Sequence, residues 1–182
     1  MFAERYARSL QSSDLRDDSQ HTSTEALFAA AIASKTGSGL GALLARVKYG
    51  DGTPQEAFAA GSNNLARLLA IWLQCVTDKG TRRNWLPART EWDALARQAL
   101  FRRVAMGSLA YWIDNRCNAC HGAGQLPNRR LCGGCKGNGR AELSTTIPRL
   151  ERELIADMVS ELEGMVQAHN DRASRIMRRR AG

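Results

Sequence analysis

Aromatic residues are scarce in this sequence, long apolar runs are missing, and acidic residues almost vanish around the cysteines. Aromatics make up 6% of the 182 residues, although apolar residues in total reach 43%. That is enough for a core, because a chain of this length buries roughly two-thirds of its unfolded surface. The early apolar run Ala26 to Ala33 follows a segment containing Asp14, Asp17 and Asp18. It is too short to span a bilayer and too far into the chain to act as a secretory core. An intracellular chain is therefore expected, with no membrane partner. In that setting the cysteine pattern, five residues with four in paired C-x-x-C units, reads as metal-binding rather than disulfide-bonded. The glycine cluster Thr36 to Gly41 lacks the Gly-Lys-Ser/Thr ending of a phosphate loop and reads as a flexible connector. No repeat of solenoid length is present.

Positive charge is abundant, and its distribution is uneven. The formal net charge is +8 and the isoelectric point is about 9.8. Residues 1–60 hold six Lys/Arg and seven Asp/Glu, leaving twenty basic and eleven acidic groups in 61–182. Residues 101–140 carry seven basic groups against Asp114 alone, so the charge peaks around the cysteines. Such a concentration suits a polyanion, nucleic acid first, through release of its counterions. A merely solvated basic face is the plainer alternative.

Hydrophobic periodicity predicts a mainly α protein, a helical bundle with an inserted zinc-finger knuckle containing short β-hairpin or loop segments. Residues 1–50 are expected to be a poorly ordered or weakly helical arm, with a short helix over Glu25–Ser34. Residues 51–182 are expected to be the helical domain, with the finger at 116–140. Thr53, Pro54 and Glu56 carry a helix-start signature. Phe58, Leu65, Leu68, Leu69, Trp72, Leu73 and Val76 then recur at helical spacing as far as Gly80, as one helix or as two divided at the weak spot Gly61-Ser62-Asn63-Asn64. Cys75 on that stretch reads as a buried, inert thiol. Thr81 to Ala88 is expected to be a basic loop.

Thr90 should cap a helix running to about Asn115, with Trp92, Leu95, Ala99, Val104, Leu109, Trp112 and Ile113 facing the core. Trp85, Trp92 and Trp112 suit core packing better than base stacking. After the cysteines, Ile147, Leu150, Leu154, Ile155, Met158, Leu162, Met165, Val166 and His169 form one apolar stripe. Asn170-Asp171 is expected to interrupt it before the basic end at Arg175 to Arg180.

The chemistry concentrates in two C-x-x-C-x-G-x-G units: Cys117-Asn-Ala-Cys120-His-Gly122-Ala-Gly124 and Cys132-Gly-Gly-Cys135-Lys-Gly137-Asn-Gly139. Each two-residue gap lets a pair of thiolates chelate from one tight turn, and the trailing glycines permit positive φ. Four thiolates, Cys117, Cys120, Cys132 and Cys135, can close a tetrahedral shell about one structural Zn²⁺. A redox-active C-x-x-C would sit beside a βαβ pattern, which the sequence lacks. Iron–sulfur ligation fits the spacing less well. His121 adjoins a ligand and is left outside the shell. A closed shell offers no open position for water, and no nucleophile, base or nucleotide motif accompanies it, so a non-enzymatic protein is expected. Arg116, Arg129, Arg130, Lys136 and Arg140 around the knuckle, with Arg82 and Arg83 in the preceding loop, are the candidate phosphate contacts.

These motifs resemble half of the cysteine-rich domain of DnaJ-type chaperones, although the chain has no His-Pro-Asp tripeptide. They are more similar to the single finger of the late-gene antitermination Q proteins of lambda-like phages, where C-x-x-C-H-G-x-G precedes C-x-x-C-K-G-x-G. Here those positions are Cys120-His121-Gly122 and Cys135-Lys136-Gly137. The order of elements agrees over about residues 60–160: variable arm, helices, finger, helix. The resemblance implies a factor of the bacterial host cytoplasm that binds DNA near a late promoter. It would join RNA polymerase holding sigma factor and carry it through terminators. The DnaJ-like alternative implies a chaperone or adaptor module that binds protein segments. The helix-turn-helix of the lambda pattern is replaced here by one long amphipathic helix. The oligomeric state stays open.

Overall fold

The computed structural model describes residues 30–33, 39–49 and 63–180. The protein is mainly helical, with helices α1 (Gly39–Tyr49), α2 (Asn64–Arg82), α3 (Glu91–Ile113) and α4 (Arg149–Arg180). Residues 30–33 are also helical, inside the short helix expected at Glu25–Ser34. The expected helix start at Thr53, Pro54 and Glu56 and most of the expected N-terminal arm lie outside the described residues. The described chain falls into two compact units. One is Leu73–Ser160, and the other takes in the described residues up to Trp72 together with those from Glu161 onward. Among the described residues, no helix is long and apolar enough to cross a membrane.

The unit from Leu73 to Ser160 contains three helical segments and the finger. Helix α2 ends through a Schellman cap: Asn84 takes a left-handed φ of 48°, Trp85 N–H donates to Gly80 O at 3.0 Å, and Asn84 N–H to Thr81 O at 3.1 Å. The helix was expected to stop at Gly80 but continues to Arg82. Gly80 serves packing instead, since a Cβ there would collide with the rings of Phe101 and Trp85. Those rings meet edge to face, with centroids 5.9 Å apart.

Helix α3 starts at a complete capping box. Thr90 Oγ1 accepts from Asp93 N–H, and Asp93 Oδ2 accepts from Thr90 N–H, both at 3.1 Å. Its inward face is Leu100, Phe101, Val104, Ala105, Ser108, Leu109 and Trp112. Trp92 (81% exposed) and Leu95 (57%), together with exposed Ala99, were expected in the core and are not. Residues 100, 101, 104, 105, 108, 109 and 112 define one helical face, and positions 92, 95 and 99 project from the other side of the same cylinder.

Helix α4 packs against both neighbours within this unit. Ile155 lies where a Cβ at Gly107 would be 2.8 Å away. Buried Glu151 accepts from Arg103 Nε at 3.0 Å, and Asp157 pairs with Lys79 Nζ at 2.8 Å. Leu150, expected on the stripe, is 51% exposed, and Glu151 takes the inward position beside Arg103.

In the other unit, Leu162, Val166, His169 and Ala173 continue the inward face of α4. The helix runs unbroken through Asn170-Asp171 to Arg180. The reason is packing: Ala173 joins Ala30, Ala33 and Ala45 in a small-residue core flanked by Tyr49, Ile176 and Met177. Half-buried Asn170 and exposed Asp171 do not break a helix whose apolar stripe continues past them. Helix α1 starts inside the glycine cluster read as a connector. Gly41 is buried there, with a Cβ position only 3.0 Å from His169 Cβ, so its missing side chain allows two helices to approach closely. Cys75, expected to be buried, is only half-buried.

Candidate metal centre

The finger is one backbone motif used twice, fifteen residues apart. Each C-x-x-C turn leads into two successive left-handed residues, His121 (φ 51°) with Gly122 (φ 91°) and Lys136 (φ 53°) with Gly137 (φ 90°). Gly124 (φ 73°) and Gly139 (φ 74°) then complete each turn. The two halves lock reciprocally. Cys117 N–H donates to Gly139 O at 2.8 Å, and Cys132 N–H to Gly124 O at 2.9 Å. A Cβ at Gly124 would strike the carbonyl of Gly137, and one at Gly139 the carbonyl of Gly122. Glycine is required at both positions for conformation and for space.

This backbone aims amides at sulfur. Gly124 N–H donates to Cys120 Sγ at 3.2 Å, and Gly139 N–H to Cys135 Sγ at 3.3 Å. All four cysteines are buried, and their sulfurs lie within 4.8 Å of one another. Cys117 Sγ is 3.9 Å from Cys132 Sγ, and Cys120 Sγ is 3.7 Å from Cys135 Sγ. Sulfurs placed tetrahedrally at the usual metal–thiolate distance stand about 3.8 Å apart, whereas a disulfide would bring two of them to about 2.05 Å. The four thiols can hold one metal ion.

Burial pushes the Cys135 thiol up, but the amides of Gly139 and Gly137 and contacts with Cys120 and Cys132 outweigh it, bringing the thiol down to about 7. Donors on the thiolate thus prepare the site for a cation. Leu126 packs against the cluster. His121 is exposed and stands apart from the four-sulfur group.

Comparison with protein-family profiles, with curated proteins and with solved structures finds no match to this chain.

The basic residues anticipated as phosphate contacts fall into four places. Arg116 and Arg140 face each other across an antiparallel bridge at the base of the finger. Arg116 is tied to Asp114, Nε to Oδ1 at 3.0 Å; its hydrogen bonds and charge hold the Asp114 carboxyl below the usual carboxylate range. Arg129 and Arg130 sit at the opposite end, on the hairpin closed by the Gln125–Leu131 bridge. There Arg129 N–H donates to Leu126 O, Leu126 N–H donates to Arg130 O, and Arg129 has a left-handed φ of 59°. Both arginines are exposed, and neither forms an ion pair among the described residues. Lys136 pairs with Glu142 at 3.1 Å.

Arg82 and Arg83 belong to the end of α2 rather than to the finger. Arg82 Nε donates to Asp78 O, and Arg83 lies 3.6 Å from Asp157. One finger contact went unanticipated: Tyr111 O–H donates to Ala141 O at 2.6 Å, tying the exit of the finger to α3. Thirty residues separate the pair, and no local pattern announces such a bond.

Proposed function

We propose that Cys117, Cys120, Cys132 and Cys135 hold one structural Zn²⁺, and that the protein is a transcription antitermination factor. It would bind promoter-proximal DNA and RNA polymerase with sigma factor and allow readthrough of terminators. Two C-x-x-C-x-G-x-G turns gathered around a single four-sulfur group carry this reading, together with the resemblance in the same residues. Zinc is the metal a closed shell of four thiolates suits best, and such a shell contributes folding rather than chemistry. The protein is accordingly proposed to be a binding protein and not an enzyme.

Arg129 and Arg130 project from the hairpin tip, where a backbone fixed by the metal would present two guanidinium groups to phosphates. Arg116, Lys136 and Arg140 add positive charge along the finger, and Arg82 and Arg83 are proposed as a separate, weaker phosphate contact. Addition of the purified, zinc-loaded protein to a transcription reaction with holoenzyme should raise terminator readthrough. Retention on promoter DNA should fall steeply with salt, and Arg129→Glu with Arg130→Glu should weaken it and reduce the salt slope by about 2. Unchanged readthrough with and without the protein would sink the proposal.

The adaptor reading draws on Leu131, which is 68% exposed beside those arginines. It is distinguished by binding of unfolded polypeptide that is insensitive to salt, with no retention on DNA.

A further inference from the structure

Helix α3 is apolar on two sides. Its inward face is buried as described, and its outward face carries Trp92 at 81% exposure, Leu95 at 57% and Met106 at 49%, joined by exposed Ala96, Ala99 and Ala110. At 100° per residue these six positions, with Arg103, fall within an arc of about 100° and run for about 27 Å along the helix. Soluble helices present such an apolar stripe to a partner.

We propose that this face is the dimer interface of the protein, with α3 of one copy packed antiparallel against α3 of a second. The order of side chains carries the inference. Set antiparallel about a two-fold that crosses the outward face at the level of residue 101, Trp92 of one copy falls opposite Ala110 of the other. Met106 then falls opposite Ala96, and Arg103 opposite Ala99. Trp92, Met106 and Arg103 each meet an alanine, and because the interface is isologous every pairing occurs twice. The Arg103 charge is already engaged by Glu151 at 3.0 Å, so its stem can lie along the interface.

The area is sufficient for a specific but modest association. A tryptophan offers on the order of 200 Å², and the whole stripe on the order of 500 Å² per copy. The pair would then bury roughly 1,000 Å², at the lower edge of specific interfaces. Exposed Arg102 lies one residue from the two-fold, which brings the two Arg102 side chains together at the crossing. Like charges there oppose association at low ionic strength. Dimerisation should therefore tighten as salt rises, opposite to any binding of nucleic acid.

The test is sedimentation equilibrium of the full zinc-loaded chain across the micromolar range at low and high salt. A reversible monomer–dimer equilibrium that strengthens with salt is expected. Leu95→Glu with Met106→Glu should weaken it at least about tenfold, with helical circular dichroism and zinc content unchanged. Arg102→Gln should tighten it at low salt. A photo-crosslinking side chain at position 92 should form intermolecular adducts that map to the peptide around Ala110; it leaves every cysteine untouched and remains informative if the double variant misfolds. A chain that stays monomeric to high micromolar concentration, a dimer indifferent to Leu95→Glu with Met106→Glu, or adducts that map away from α3 would each overturn the proposal.

Discussion

The finger and the helices are held together by different forces. Between Cys117 and Gly139 the buried hydrophobic residues are the four cysteines themselves, with Leu126 packed against them. Order there comes from amide–sulfur and amide–carbonyl hydrogen bonds and from glycines at positive φ. The helices instead bury Trp72, Trp112, Leu44, Leu68, Ile155, Met158 and Leu162 almost completely. A segment with so little apolar burial gains little from packing to offset its conformational entropy, and the proposed metal would supply what packing does not, whereas the helices can fold on packing alone. The difference predicts that each part can be damaged with the other left standing.

Removing the metal should have the largest effect. Structural zinc contributes about 10–16 kcal/mol to the folding of small metal-bound modules, and the finger has no comparable apolar reserve. Chelation, or Cys132→Ser, should abolish amide protection in residues 117–139 while far-ultraviolet circular dichroism keeps most of its helical signal. Simultaneous loss of both signals would show that the finger supports the helices, and the contrast would fail.

The converse experiment truncates the helical core. Trp112 is 1% exposed, and Trp112→Ala should cost about 3–5 kcal/mol of global stability through the lost burial and the cavity left behind. Zinc content at low temperature should stay at one equivalent per chain, since the four sulfurs are untouched. Thermal unfolding and metal analysis on one sample settle the matter.

A smaller lesion tests the backbone account of the finger. Gly124→Ala places a methyl group against the Gly137 carbonyl in a left-handed conformation, costing about 2 kcal/mol. It also disturbs the amide that donates to Cys120 Sγ. Competition with a chromophoric chelator should show metal affinity reduced about tenfold to a hundredfold, with the melting of the helices unchanged.

Acid should act on the helical side through His169. The imidazole is fully buried on α4, and burial, then the nearby Arg172 charge, lower its pKa from 6.5. The unfolded chain therefore binds the proton more readily than the folded one. This contribution to stability is whole above about pH 6.5 and declines as pH falls below that value toward the lowered folded pKa. His169→Gln should flatten that part of the stability profile in denaturant titrations at a series of pH values.

Much of the metal centre was legible in the sequence because its determinants are local. Ligand spacing fixes which sulfurs can share one ion, and a glycine two places after a cysteine announces a left-handed turn. The start of α3 was legible for the same reason, as Thr90 and Asp93 act across three residues. Which side of α3 faces inward was not. That helix is apolar nearly all round, so periodicity could not choose between Trp92–Leu95–Ala99 and Leu100–Val104–Ala105, and tertiary contacts with Trp85, Glu151 and Ile155 decided it. The passage of α4 through Asn170-Asp171 depended likewise on distant alanines in residues 30–45. The roles of Gly41 and Gly80 come from close approach by His169 and by Phe101, which no local pattern encodes.

The smallest effect concerns a place on the helical side where local hydrogen bonds, not burial, set the structure. Thr90 and Asp93 satisfy each other's backbone amides at the start of α3, and three hydrogen bonds, from Arg89 N–H, the Thr90 side chain and Thr90 N–H, hold the Asp93 carboxylate below its ordinary pKa. Thr90→Ala removes the acceptor for Asp93 N–H and should cost about 1 kcal/mol, seen as a lower melting temperature with metal affinity unchanged. Because the box is solvent-exposed and the first turn of α3 lies outside the buried face, water replaces the lost bond and the loss stays small. Hydrogen exchange should place the added fraying in the first turn of α3. Protection lost evenly along the helix would mean instead that the box sets the register of the whole helix against its neighbours.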